Sequence, residues 1–195
     1  MKEVLHKIKE NRVFIDSVFL VLITIIISIS MFRKNADIYL DDGSQHLMRA
    51  YGSYQSIKQN GTDNIISNFA NGFGYSWNLF YGPLSTYCII VISMILNSFN
   101  LGFKIALSLI FLIAGLCMYK LVENITDNKN AGLLSAVIYI TSPYFFTDIY
   151  TRHAVGEAMS FIFIPLVFLG LYNLFNTEKN HYYLIFGTVR IDFVT

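Results

Sequence analysis

The sequence predicts an all-α integral membrane protein, and three observations lead to that class. Of the 195 residues, 54% are hydrophobic and only 14% are charged, whereas a soluble domain carries about 25% charged residues. The charged residues gather between long apolar runs, and the mean hydropathy is +0.50. The first run, Val13–Phe32, has about the twenty residues that a helix needs to span a bilayer. With a net charge of +1, we expect the lipid bilayer and not nucleic acid as a partner.

The first apolar run predicts a membrane anchor and not a cleaved signal peptide. It is long, no small-x-small cleavage site follows it, and further apolar runs come later. Four basic residues precede the run and two follow it, which places the N-terminus in the cytoplasm by the positive-inside rule. We therefore expect a multi-pass protein of the cell membrane in which residues 33–81 form the first external loop.

The later apolar runs predict three more spans and one shorter helix. The spans are expected at about residues 101–122, 131–146 and 158–175. Residues 84–96 form an apolar run of only thirteen residues, three of them serine or threonine, a length typical of juxtamembrane or re-entrant helices. If this run does not cross the bilayer, Asp42 and the charged segment 148–157 share the outer side of the membrane.

The last apolar run, Tyr182–Val189, is too short to cross a bilayer. A lone half-span would expose backbone groups to lipid. We therefore expect residues 1–195 to be a single transmembrane domain that is the N-terminal part of a longer protein.

The densest group of reactive side chains is the segment Asp41–Arg49, which follows the first span. In a helix, where successive residues turn by about 100°, Asp42, His46 and Arg49 fall on one stripe. We expect this polar stripe to face open space. The opposite, apolar stripe should lie on hydrophobic surface and consists of Leu40, Leu47, Tyr51 and Tyr54.

Two kinds of chemistry fit this stripe. Asp42 and His46, spaced i, i+4, could bind a divalent cation such as Mg²⁺ or Mn²⁺. Alternatively, Asp42 could orient His46 or act as a general base toward a hydroxyl group. Arg49 could hold a phosphate. An ordinary reading remains open, in which these side chains only pair with each other on an exposed helix face.

The second half of the loop, residues 68–83, is rich in glycine, asparagine and aromatic residues. Trp77 and Tyr81 suit the headgroup region of a membrane. The segment is either an interfacial loop anchored by its rings or a folded platform that binds a substrate, through residues such as Tyr81, beside Asp42.

A second charged group contains Arg152 and Glu157. Charges beside a membrane-embedded helix end are costly unless they are paired or functional. Arg152 could therefore bind a phosphate with Glu157 orienting it or holding a metal. Alternatively, a salt bridge from Arg152 to Asp148 or Glu157 only lets the bend pack.

Several motifs, taken in order, resemble one bacterial family. They are Asp42-xxx-His46-xx-Arg49, Gly72-Phe-Gly-Tyr, Phe80-Tyr-Gly-Pro-Leu84, Ser142-Pro-Tyr144, and Tyr150-x-Arg152-xxxx-Glu157 ahead of Pro165. The chain resembles, over about residues 10–185, the polytopic membrane proteins with a 6-pyruvoyl-tetrahydropterin synthase-related domain. Those proteins look similar to distant GT-C glycosyltransferases.

The resemblance implies a GT-C-like helical bundle with juxtamembrane helices in the first external loop. It implies transfer of a sugar from a polyprenyl-phosphate donor at the outer face, with Asp42 and His46 as candidate catalytic or metal-binding residues. Arg49, Tyr81, Arg152 and Glu157 are the candidate substrate-binding residues. The usual acidic-x-acidic pattern is replaced by adjacent aspartates at 41 and 42. Two alternatives stay open, a transporter or flippase-like protein and a non-catalytic membrane assembly subunit.

Overall fold

A computed structural model describes residues 2–33, 42–62 and 72–176 of the chain. The expectations for residues 34–41 and 63–71 and for the run Tyr182–Val189 lie outside the described residues. Within them, eight α-helices follow one another: α1 Lys2–Ser28, α2 Gly43–Asn60, α3 Trp77–Phe80, α4 Leu84–Ile95, α5 Phe99–Thr126, α6 Lys129–Ile140, α7 Pro143–Phe146 and α8 Val155–Asn176. A 3₁₀ turn, Ile29–Phe32, extends α1, and a π-helical turn, Thr147–Arg152, follows α7.

The predicted all-α membrane class is confirmed. Among the described residues, three helical segments are long and apolar enough to cross a membrane: Arg12–Phe32, Phe99–Thr126 and Val155–Asn173. The helix α8 runs on through Pro165. The twelve-residue α4 is about 18 Å long at 1.5 Å per residue, which is short of the ~30 Å hydrocarbon core.

The segment expected to be a span at about 131–146 is bent. The helix α6 ends at Ile140, and the pair Lys129–Ile140 and Pro143–Arg152 is bent by 45°. The break has a local cause, because Pro143 lacks a backbone N–H and disfavours the α conformation at Ser142 before it. If the bent pair is one span, the described residues contain four candidate spans.

The chain divides into two compact units. The first contains the described residues within 2–30, 110–145 and 160–176, and the second contains those within 31–109 and 146–159. The helices α5 and α8 contribute residues to both units.

In the first unit, a polar network joins α1 to α5 and α6. The buried carboxylate of Asp16 accepts hydrogen bonds from Arg12 Nε and Tyr119 Oη, each at 3.0 Å. Arg12 also donates from Nη2 to Asn130 Oδ1 at 2.6 Å. Both carboxylate oxygens of Asp16 therefore have partners, although the residue lies inside an apolar span.

In the second unit, α2 packs against α4. The helix α2 ends where Gly61 adopts a left-handed conformation (φ 72°) and donates its N–H to Ile57 O. Tyr51 and Tyr54 contact Phe99 at the start of α5, with ring centroids 5.1 and 5.7 Å apart.

The expected orientation of the polar stripe on α2 holds for Asp42 but is wrong for Arg49. Asp42 is about half exposed, whereas Arg49, and Ser53 one turn further on, are buried at 4% and 0% exposure. In the apolar stripe Tyr54 is buried but Tyr51 is 47% exposed. The reason for the burial of Arg49 and Ser53 is the segment after residue 72, which covers the polar side of α2. Asn78, for example, donates a hydrogen bond to Ser53 Oγ at 2.9 Å.

Candidate active site

Arg152 is the centre of an ion-pair cluster in the second unit. Its Nη1 atom lies 2.8 Å from Asp148 Oδ1 and 2.7 Å from Glu157 Oε2. Its Nη2 atom lies 3.8 Å from Asp42 Oδ2. The structure thus brings the two charged segments of the sequence into contact, around a cation whose side chain is one-third exposed.

Asp148 fixes the buried end of this cluster. It lies one turn before Arg152 in the π-helical turn, and its side chain has no exposed surface. Its Oδ2 atom is buried and has no hydrogen-bond partner. π-Helical turns are rare and often occur at functional sites, and an unsatisfied buried carboxylate oxygen is unusual in a native protein.

Asp42 is the exposed end of the cluster. It occupies the N-cap position of α2, where an aspartate commonly accepts a hydrogen bond from the first helical turn. Here its side chain makes no capping hydrogen bond, and its carboxylate is about half exposed. Only its backbone carbonyl serves the helix, by accepting from His46 N at 3.0 Å. The carboxylate is therefore directed to the Arg152 cluster and to solvent.

Arg49 lies in the corner between two tilted aromatic rings. Its Cζ atom is 3.8 Å from the ring centroid of Trp77 and 4.2 Å from that of Tyr81. The two rings are 6.4 Å apart and inclined by 49°. Burial lowers the pKa of Arg49 from its ordinary value, while the neighbouring Tyr81 opposes that shift. Nε and Nη1 are buried without hydrogen-bond partners. The charge is compensated by the cation–π contacts together with a hydrogen bond to Tyr81.

His46 contacts the same tyrosine. Its ring meets Tyr81 edge to face with centroids 6.0 Å apart. Burial, followed by repulsion from Arg49, lowers the pKa of His46 from 6.5 to about 4, against the attraction of Asp42. The imidazole is therefore neutral near pH 7 and can accept a proton or ligate a cation through a ring nitrogen.

A metal site built from protein groups alone does not form in the described part of the chain. No group of three or more His, Cys, Asp or Glu side chains that could hold a metal occurs there. Asp42 and His46 supply at most two donors. Such a pair suits a divalent cation only when oxygens of a substrate phosphate or water complete the coordination, as Mg²⁺ commonly accepts.

All six predicted site residues lie in the second unit. They form two groups: Asp42 and Glu157 lie beside the Arg152 guanidinium, and His46 and Arg49 contact Tyr81. The prediction missed the pairing of Trp77 with Arg49. Its one signal was the presence of two aromatic residues four positions apart, at 77 and 81.

Comparison with known proteins gives the family. The 6-pyruvoyl-tetrahydropterin synthase related domain, which defines a family of membrane proteins, matches residues 79–192. The chain belongs to this family. It is 34% identical over 116 residues to an uncharacterized protein of Lactococcus lactis subsp. cremoris, a match that covers 57% of this chain and 19% of that protein. The chain thus spans less than a fifth of the length of this relative. No solved structure matches the chain.

Proposed function

We propose that the Arg152 cluster is the active site of a membrane glycosyltransferase that uses a polyprenyl-phosphate sugar at the outer face. The observation that carries the proposal is the position of Asp42 Oδ2, 3.8 Å from Arg152 Nη2. The Asp42 carboxylate is half exposed, does not cap its helix, and lies beside the Arg152 guanidinium. That guanidinium is also paired with Asp148 and Glu157. That is the arrangement a transfer reaction needs, with a proton acceptor and a positive charge at one place.

The reaction is a displacement at the anomeric carbon of the sugar. An acceptor hydroxyl oxygen forms a bond to that carbon while its proton passes to Asp42. The bond between the anomeric carbon and the phosphate oxygen breaks, and the polyprenyl phosphate leaves with the electron pair. Arg152 meets the charge that develops on the leaving phosphate. Asp148 and Glu157 keep the guanidinium in place during this step.

A divalent cation remains part of the proposal as an optional component. Asp42 and the neutral His46 would hold it together with phosphate oxygens of the donor, and it would neutralise charge on the leaving group. Removal of divalent cations with EDTA, followed by return of Mg²⁺ or Mn²⁺ one at a time, measures this requirement. Unchanged transfer in EDTA would exclude a metal role for this pair.

The decisive experiment replaces Asp42 by asparagine. Membranes from cells with the wild-type or the Asp42→Asn protein receive radiolabelled polyprenyl-phosphate mannose or glucose, and label in the glycosylated product is counted. We expect the variant to lose at least about 100-fold in transfer rate, the usual contribution of a general base. Asp127→Asn, the same change of carboxylate to amide in the first unit, should retain full activity.

Two results would contradict the proposal. If Asp42→Asn retains the wild-type rate, Asp42 is not the base. If neither protein forms product but both move labelled lipid-linked sugar across proteoliposome membranes, the protein is a flippase.

The compensation of Arg152 by Asp148 and Glu157 favours a second candidate, a non-catalytic assembly subunit, which would show neither transfer nor flux.

A further inference from the structure

The hydroxyl group of Tyr81 fits against a glycine in the first turn of α8. A Cβ atom placed on Gly156 would lie 2.7 Å from Tyr81 Oη, closer than side chains pack. The backbone of Gly156 has no positive φ, so its conformation does not require glycine. Glycine is unfavourable in a helix relative to alanine, and the tyrosine hydroxyl gives a packing reason for its presence.

Tyr81 is 41% exposed, and its ring is contacted by two side chains of α2. One neighbour is the His46 ring at 6.0 Å, and another is the Arg49 guanidinium, whose Cζ is 4.2 Å from the ring centroid. Both neighbours belong to α2, one and two turns after Asp42. On the other side, Gly156 directly precedes Glu157. A single side chain therefore touches the helix that carries Asp42 and the turn that carries Glu157.

We propose that Tyr81 is a positioning residue and that Gly156 is its socket. Together they hold the start of α2 in register with the first turn of α8, so that Asp42 and Glu157 face Arg152. The claim that this alignment of α2 with α8 matters for catalysis rests on the proposed function. The fit of Tyr81 against Gly156 does not rest on it.

The test compares Gly156→Ala in two backgrounds, wild type and Tyr81→Phe. In the wild-type background the added methyl group collides with the hydroxyl, so the melting temperature should fall. In the Tyr81→Phe background the hydroxyl is gone, and the same change should raise the melting temperature, because alanine favours the helix. Gly82→Ala is the matched control, since a Cβ there meets nothing within 4 Å, and it should be neutral in both backgrounds.

A spectroscopic readout reports on the same fit. Trp77 is the single tryptophan of the chain, and its ring lies 3.8 Å from Arg49 Cζ and 6.4 Å from the Tyr81 ring. Displacement of Tyr81 should shift the emission maximum of Trp77 in Gly156→Ala. The Tyr81→Phe/Gly156→Ala double variant should emit like Tyr81→Phe alone.

The outcomes separate this inference from the proposed function. Equal effects of Gly156→Ala in both backgrounds, in melting temperature and in emission, would overturn the socket. A sugar transfer rate that falls at least 10-fold in Gly156→Ala and recovers in the double variant would support the positioning role. If Asp42→Asn retains activity, the glycosyltransferase proposal fails, while the melting and fluorescence measurements still decide whether the socket exists.

Discussion

The two units differ in how completely their buried charged groups are hydrogen-bonded. In the first unit, both oxygens of Asp16 are hydrogen-bonded, and its partner Arg12 is in turn held by Asn130. In the second unit, Asp148 Oδ2 and two nitrogen atoms of Arg49 are buried without partners. Such groups are expensive to leave unsatisfied. Among the described residues of the first unit, the buried side-chain atoms without partners are the hydroxyl oxygens of Thr24 and Ser28.

The difference indicates that the buried polar side chains serve different purposes in the two units. A saturated network ties helices together and needs nothing further. An unsaturated one is destabilising by itself and is retained where chemistry or binding requires it. Four measurements test whether the first unit is structural and the second functional.

The largest effect is expected when Arg152 is replaced by methionine. Asp148 would keep a fully buried carboxylate without its cation, and breaking such a pair should cost about 3 kcal/mol of unfolding free energy. The matched change in the first unit, Arg12→Met, should cost about 1 kcal/mol, because Arg12 is half exposed and Asp16 retains Tyr119. Unfolding in SDS–detergent mixtures measures both. Equal losses would remove the contrast.

The next effect is expected at Tyr119, where replacement by phenylalanine removes one hydrogen bond to the buried Asp16. Hydrogen bonds to charged groups contribute more than neutral ones, so the change should cost about 2 kcal/mol without affecting sugar transfer. Tyr139→Phe is the control, because that hydroxyl donates to the neutral Phe161 O at 3.0 Å, a bond worth about 1 kcal/mol. A transfer defect in Tyr119→Phe would assign function to the first unit as well.

A smaller effect on stability is expected at Arg49. Replacement by methionine removes the cation–π contacts but also the buried donors that have no partner, so unfolding free energy should change by less than about 1 kcal/mol. Transfer activity should nevertheless fall, because Arg49 is a candidate substrate-binding residue. Arg49→Lys should be less stable than Arg49→Met, since an ammonium group cannot stack on two rings as a guanidinium does. The reverse order would show that Arg49 is mainly structural.

The smallest effect concerns pH and His46. Its pKa is 6.5 in the unfolded chain and about 4 in the folded protein, so between these values only the unfolded chain binds the proton. Stability from this residue is therefore complete above about pH 6.5 and is lost as the pH falls toward 4. His46→Gln should flatten the stability profile over this window in metal-free buffer. If the variant shows the same dependence of stability on pH as the wild type, folding does not lower the pKa of His46.

Sequence reasoning reached the helical class. From the shortness of the run 84–96 it also placed Asp42 and residues 148–157 on the same side of the membrane, which stays a prediction. The contact between Asp42 and Arg152 goes beyond what that prediction stated. The side-chain period placed Asp42 and Arg49 on one stripe of α2, but Asp42 is half exposed and Arg49 is buried. Period identifies which residues share a face, but it does not say which face is covered. The cover comes from Trp77 and Asn78, some twenty-five residues away in sequence.

The sequence pattern also does not reveal that Asp16 and Asp148 are buried. Asp16 lies in a run that reads as apolar, and its partner Tyr119 is more than a hundred residues away. The same holds for Asn130, which accepts from the other partner of Asp16, Arg12. Asp148 could be recognised as a neighbour of Arg152 by its i, i+4 spacing. Its complete burial depends on the π-helical turn, which no spacing rule predicts.

The turn Thr147–Arg152 has an evolutionary consequence. A π-helical turn accommodates one residue more than an α-helical turn, so a one-residue deletion can be absorbed there without turning the helix that follows. What changes is the pairing inside the turn, because a deletion between Asp148 and Arg152 replaces their i, i+4 spacing by i, i+3. A one-residue gap at this place therefore acts on the ion pair that positions the Arg152 guanidinium.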